Sequence, residues 1–132
     1  MVDRKYYSTM ILPIEVSQTI ADSFCGIFGL PKVEVIYKDL SYLNAWGLYE
    51  GTKVFLEKTR PRLATLLHEI AHHVQNEENP NYRCFESVHG ASYQKAIRKV
   101  VKVFREAYGC ERFIYFSGKQ ILEPKRRKKN GL

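Results

Sequence analysis

Apolar residues recur along this chain with two different periods, and the switches between them divide it into elements. In EVSQTIADSFCGIFG, Val16, Ile20, Phe24 and Ile27 stand at helical spacing with Gly29 and Pro31 as stop signals, which predicts an N-terminal helix buried through that stripe. The preceding KYYSTMILPI reads as a strand ending at Pro13. Val33, Val35 and Tyr37 alternate with polar neighbours, and AWGLYEGTKVFLEK reads as a hairpin turning near Glu50-Gly51. Residues 32–57 are therefore expected to form a small antiparallel or mixed sheet, packed through Trp46, Leu48, Val54 and Leu56. Thr59-Arg60-Pro61 offers an N-cap and a first-turn proline, so a helix is predicted from Thr59 to about Asn76. A second long helix, about Gly90 to Tyr108, stops at Gly109. Tyr93, Ile97, Val100, Val101, Phe104 and Tyr108 line one side of it, and Lys95, Arg98, Lys99, Lys102 and Arg105 the other. RFIYFSGKQIL reads as two short strands about Ser117-Gly118.

Composition narrows the class. At 132 residues, with 45% hydrophobic and 27% charged, the chain has room for one core and a globular balance, which predicts a single α+β domain over residues 1–124. No long apolar run or signal-peptide core follows Met1, so the expectation is a soluble, intracellular monomer with no membrane segment. Cys25, Cys84 and Cys110 lie far apart and form no CxxC pair, so free thiols are expected, with a Cys84–Cys110 bridge as the alternative. The net charge of +7 is unevenly spread. Five of the 21 basic residues are the run Lys125, Arg126, Arg127, Lys128 and Lys129, whereas all 14 acidic residues precede it, so residues 1–124 carry only +2. Residues 125–132 read as a basic, disordered tail after Pro124.

The chemistry gathers in TLLHEIAHHVQN, Thr65 to Asn76. On a wheel of about 100° per residue, Leu63, Leu66, Leu67, Ile70 and Val74 share one side, while His68 and His72 lie roughly 40° apart on nearly the opposite one. Imidazoles one turn apart both reach a single zinc ion at about 2.0–2.1 Å. His73 is turned by about another 100° and falls out of that pair, which suits an outer, capping or surface position. Glu69 completes the string H-E-x-x-H and stands beside the metal position, where it can take a proton from an attacking water. A third protein ligand is required, with one position left open. The metzincin continuation is absent, because Gln75 and Glu78 stand where it needs glycine and histidine. His89, directly before the second long helix, is the favoured third ligand, and Glu86 the alternative.

TLLHEIAHHV followed by VHGASYQKAIRKV resembles the SprT-like (Spartan-type) zinc metalloproteases, over about residues 32–104, with the specificity concentrated in HEIAH and HGASY. The resemblance implies a zincin-like α+β fold and a zinc-dependent endopeptidase. His68, His72 and His89 would be the ligands to one Zn2+, Glu69 the general base, and Tyr93 a packing aromatic. The chain has no CxxC pair and so lacks the zinc ribbon that many members carry after the protease core. In zincins the strand before the metal helix, here Thr52–Glu57, pairs with an extended substrate; Trp46, Tyr49 and Val54 are the candidate substrate contacts. Tyr49, Tyr82 and Arg83 are equal candidates to stabilise an oxyanion. Lys95, Arg98, Lys99, Lys102 and Arg105, with the 125–129 run, suit sequence-nonspecific nucleic acid, so the chain is either a peptidase acting on DNA-associated proteins or a nucleic-acid-binding protein with a structural or inactive zinc site. An intracellular protease dedicated to one regulatory protein shares the chemistry and differs in substrate.

Overall fold

The computed structural model describes residues 11–108, 110–116 and 119–124, with side chains over 11–107. Helix α1, Ile14–Phe28, starts behind Pro13 in extended conformation and ends at Gly29, whose φ of 66° closes the last turn with Leu30 N–H on the Cys25 carbonyl at 2.9 Å. Its buried face is Ser17, Ile20, Ala21, Phe24 and Cys25. The predicted stripe is thus rotated: Ile20 and Phe24 are buried, but Val16 and Ile27 are exposed. Both lie roughly 90–110° from the centre of the buried arc, because the core accepts the small Ser17 and Ala21 that a hydrophobicity pattern passes over. The predicted entry strand falls mostly outside the described residues; within them, Ile11 bridges Arg62 and Leu12 N–H meets the Pro61 carbonyl at 2.9 Å.

The sheet holds β1 (Glu34–Lys38), β2 (Gly47–Tyr49) and β3 (Lys53–Glu57) in the order β1-β3-β2. The expected hairpin is present: β2 and β3 are antiparallel, and the turn uses Gly51 at φ 81°, a conformation that costs glycine nothing. β1 pairs parallel with β3, so the sheet is mixed, and β3 is its middle strand. The 3-10 turn Ser41–Leu43 carries the chain across. Glu57 anchors this crossover: its carboxylate accepts Leu40 N–H at 2.7 Å, Thr59 N–H at 2.8 Å and the Thr59 hydroxyl at 2.7 Å. Gln18 of α1 spans β1, donating to the Val33 carbonyl and accepting Val35 N–H, both at 2.9 Å.

Helix α2, Leu63–Glu78, begins four residues later than predicted. Thr59 does not cap it, because its hydroxyl is spent on Glu57, and Pro61 and Arg62 are held extended against Leu12 and Ile11. α3 spans Ala91–Tyr108 and packs on α2 through Tyr93, Ala96, Ile97, Val100 and Phe104. Val54 and Leu56 of β3, Leu66, Leu67, Ile70 and Val74 of α2, and this face of α3 form one core. The expected terminal hairpin is β4 (Cys110–Phe116) paired antiparallel with β5 (Lys119–Pro124). Among the described residues no helix is long and apolar enough to cross a membrane. Cys25 is a buried and Cys84 an exposed free thiol, so the alternative bridge is not formed.

Candidate metal centre

Three imidazoles meet above α2. The Nε2 atoms of His68 and His72 are 3.3 Å apart, those of His68 and His89 3.3 Å, and those of His72 and His89 3.2 Å. His68 and His72 come from consecutive turns of one helix face, while His89 arrives from the segment before α3. These three side chains lie close enough to bind a metal ion. The spacing matches the edge of a tetrahedron: nitrogen ligands at about 2.0–2.1 Å from a tetrahedral ion stand about 3.3–3.4 Å apart.

Outer partners aim two of the rings. His72 Nδ1 lies 3.1 Å from Gln75 Oε1, and an amide oxygen only accepts, so the proton sits on Nδ1 and the Nε2 lone pair faces the cluster. The Gln75 amide is oriented by its own donors, which reach the Val88 carbonyl at 2.8 Å and Ser92 Oγ at 2.9 Å. His68 Nδ1 is 2.8 Å from the Tyr93 hydroxyl. Burial, with the neighbouring His72 and His89 adding to it, drives the His68 pKa down to about 4. Burial likewise lowers that of His72, against the opposing hydrogen bond from Gln75 and with His89 and Arg83 reinforcing it. Burial thus favours the neutral, electron-pair-donating form of both rings.

Glu69 sits beside this cluster, 6% exposed and with no protein hydrogen bond among the described residues. Desolvation pushes its pKa up to about 8. Its roof is β2. A methyl group on Gly47 would stand 2.8 Å from Glu69 Oε2 and 2.7 Å from Thr65 Cγ2, so only glycine lets the strand lie this close. Pattern reading missed Gly47, Gln75 and Tyr93 as parts of the site. The spacing His72 to Gln75, three residues along a helix, was the available signal for one of them.

Glu86, the alternative third ligand, is engaged elsewhere: Oε1 accepts both Ser92 N–H and Ser92 Oγ–H at 2.7 Å, closing the start of α3. His73 is outside the cluster as expected but is not at the surface. It is 1% exposed, its Nε2–H donates to the Pro31 carbonyl at 2.8 Å, and its Nδ1 lies 2.7 Å from the Tyr49 hydroxyl. That contact also places the Tyr49 side chain, whose hydroxyl is held beneath the sheet by His73 and the Gly51 carbonyl, while its backbone stays on β2. Val54 is 0% exposed in the core, so its side chain is no substrate contact, and β3, flanked on both sides, has no edge to offer. Trp46 is the expected contact that is open, 51% exposed, and it is not a core residue. Tyr82 is buried with its hydroxyl accepting Arg83 Nε–H at 3.1 Å.

On α3, Lys95, Arg98 and Lys102 are exposed, whereas Lys99 pairs with Glu78 at 2.7 Å and Arg105 is half-buried with its Nε lacking a partner. The basic run Lys125–Lys129 and the tail lie outside the described residues. Comparison with protein-family models, with curated proteins and with solved structures finds no match to this chain.

Proposed function

We propose that this chain is a zinc-dependent endopeptidase of the zincin type, similar to the SprT-like proteases. The observation that carries the reading is the Nε2 triangle of His68, His72 and His89 with a buried, unpartnered Glu69 carboxylate at its side. An all-nitrogen donor set at tetrahedral spacing, with one face open, favours zinc over the harder cations that seek oxygen. When bound, such an ion supplies Lewis acidity, lowering the pKa of water and polarising a carbonyl.

Glu69 is the proton carrier. In a desolvated site its carboxylate holds a proton more tightly than an exposed one does, which suits it to accept a proton from the attacking water and return it to the leaving amine. The substrate lies along β2 rather than β3. Trp46 C=O and Glu50 N–H are turned toward β3, where they bond Glu57 and Lys53 at 2.9 Å. Strand alternation then directs the N–H and C=O of Gly47 and Tyr49 outward at a free edge, directly over Glu69. Arg83, whose positive charge bears on His72, is the remaining candidate to stabilise an oxyanion.

The test is metal content and proteolysis side by side in wild type and Glu69→Gln. The variant keeps stoichiometric metal and loses cleavage by about 10²–10⁴-fold, the range for removing a general base. Equal cleavage by both proteins would sink the assignment. A second reading, nonspecific nucleic-acid binding on α3, is favoured by exposed Lys95, Arg98 and Lys102; it requires an affinity that falls steeply with salt in a protein that cuts nothing.

A further inference from the structure

Trp46 immediately precedes Gly47 and stands open to solvent beside the end of β2 nearest Glu69. Two arginines flank its ring: the Arg60 guanidinium carbon is 5.7 Å from the ring centroid and that of Arg62 5.4 Å. Such stacking spreads a guanidinium over the ring face and leaves its N–H edges pointing outward. Neither arginine has a carboxylate partner among the described residues. The two carboxylates that share a cleft with Trp46 accept hydrogen bonds from other groups. Glu57 holds Leu40 and Thr59, and Asp39 holds Ser41 N–H at 2.9 Å and Ser41 Oγ–H at 2.6 Å. Beside the ring opens this cleft of about 390 Å³, lined by Trp46, Lys58, Ser41 and Asn44 together with Glu57 and Asp39. Those hydrogen bonds keep both carboxylates charged, but Lys58, Arg60 and Arg62 outnumber them, and guanidiniums without a carboxylate partner on an aromatic plate are a receptor for a carboxylate.

Its position relative to the chemistry follows from helix geometry. Arg62 precedes His68 by six residues, about 9 Å along the α2 axis, which an extended chain covers in about three residues. We propose that Trp46, Arg60 and Arg62 form a substrate subsite that takes an acidic side chain about three residues from the bond that is cut. The assignment rests on the peptidase reading for the word substrate, while the acidic ligand stands on Trp46 and the two arginines alone.

Trp46 is the sole tryptophan of the chain, so its fluorescence reports on this subsite directly. The full-length Glu69→Gln protein, which leaves peptides intact, is titrated with a capped hexapeptide carrying two central aspartates, with its asparagine counterpart, and with an oligothymidylate. The aspartate peptide changes the emission saturably and binds about tenfold more tightly than the asparagine one, a preference that Arg60→Gln with Arg62→Gln abolishes. In parallel, wild type is profiled on an unbiased peptide library. Acidic residues are enriched about three positions from the cut, and Arg60→Glu with Arg62→Glu turns that preference toward basic residues, which a merely structural role of the arginines would not do. Equal response to both peptides, no response at millimolar peptide, or a response to the oligonucleotide alone overturns the proposal. Cleavage without acidic preference overturns the subsite and leaves the peptidase standing; aspartate-selective binding in a wild type that cuts nothing keeps the acidic ligand and removes the peptidase.

Discussion

Replacing Gln75 with leucine keeps the volume of a fully buried side chain and removes every polar contact it makes. Three partners change at once. His72 Nδ1–H loses its acceptor at 3.1 Å and with it the bond that fixes the ring's tautomer; the Val88 carbonyl loses a donor at 2.8 Å; Ser92 Oγ loses one at 2.9 Å but keeps Glu86. A buried carbonyl left unpaired costs about 1–3 kcal/mol of stability. Loss of an outer partner of a metal-binding histidine typically costs about 10–100-fold in metal affinity, which corresponds to about 1.4–2.7 kcal/mol. Gln75 also holds Val88, the residue before His89, so part of its effect should travel through the third ligand. Gln75→Leu is therefore expected to weaken zinc binding in competition with a chromophoric chelator, and to cost less when introduced into His89→Ala than into wild type. Urea unfolding of the metal-free proteins measures the stability component separately. An unchanged zinc affinity alongside reduced stability would refute the reasoning and leave Gln75 as packing alone.

Gly47→Ala places a methyl group against Glu69 and Thr65 at contacts no real Cβ makes, so β2 must move off the helix. Cleavage falls by about 10²-fold while the metal is retained, and measuring kcat/KM with metal content separates the two. The Glu69 carboxyl gives a pH signature in metal-free protein. Its pKa is raised from 4.5 to about 8 on folding, so the fold is unpenalised below pH 4.5 and loses stability as pH rises toward 8. Wild type should therefore lose about 1 kcal/mol per pH unit relative to Glu69→Gln across that window, and parallel pH profiles of the two proteins would contradict it. His73→Leu takes the donor from the Pro31 carbonyl and leaves the Tyr49 hydroxyl with Gly51 and Asn76, destabilising the protein by about 1–2 kcal/mol without changing zinc affinity, whereas His72→Leu abolishes metal binding.

The phase of α2 was legible because His68 and His72 repeat at four residues against a leucine stripe, and periodicity reports which side chains share a face. His89 followed from its place at a helix start, where a single residue can swing toward a neighbouring helix. The hairpin around Gly51 carried its own turn signal. What pattern could not carry was the parallel pairing of β1, since alternation is the same in both directions and the crossover depends on Glu57 reaching Leu40. The start of α2 differs because the Thr59 hydroxyl, a plausible cap, is taken by Glu57 two residues earlier, and Pro61 and Arg62 are held extended against Leu12 and Ile11. His73 looked peripheral because a wheel shows direction but not what lies there, and Pro31 is supplied by a loop 42 residues away. The central position of Val54 was hidden because strand order, which decides edge from centre, is a tertiary property, and the Tyr49 side chain looked open because His73 reaches it from another element.

A sheet of three strands has two rims, and a bare rim recruits whatever extended chain it meets, including a second copy of itself. Gln18 changes that count. Its amide occupies the Val33 carbonyl and the Val35 N–H on the outer side of β1, standing in for the strand that would otherwise add there. Among the described residues, the rim left to recruit is β2, the one that runs over Glu69. A single amide on a helix therefore makes strand addition to this sheet directional: it is opposed at the start of β1, and an extended chain that adds at β2 arrives beside Glu69 and the three histidines.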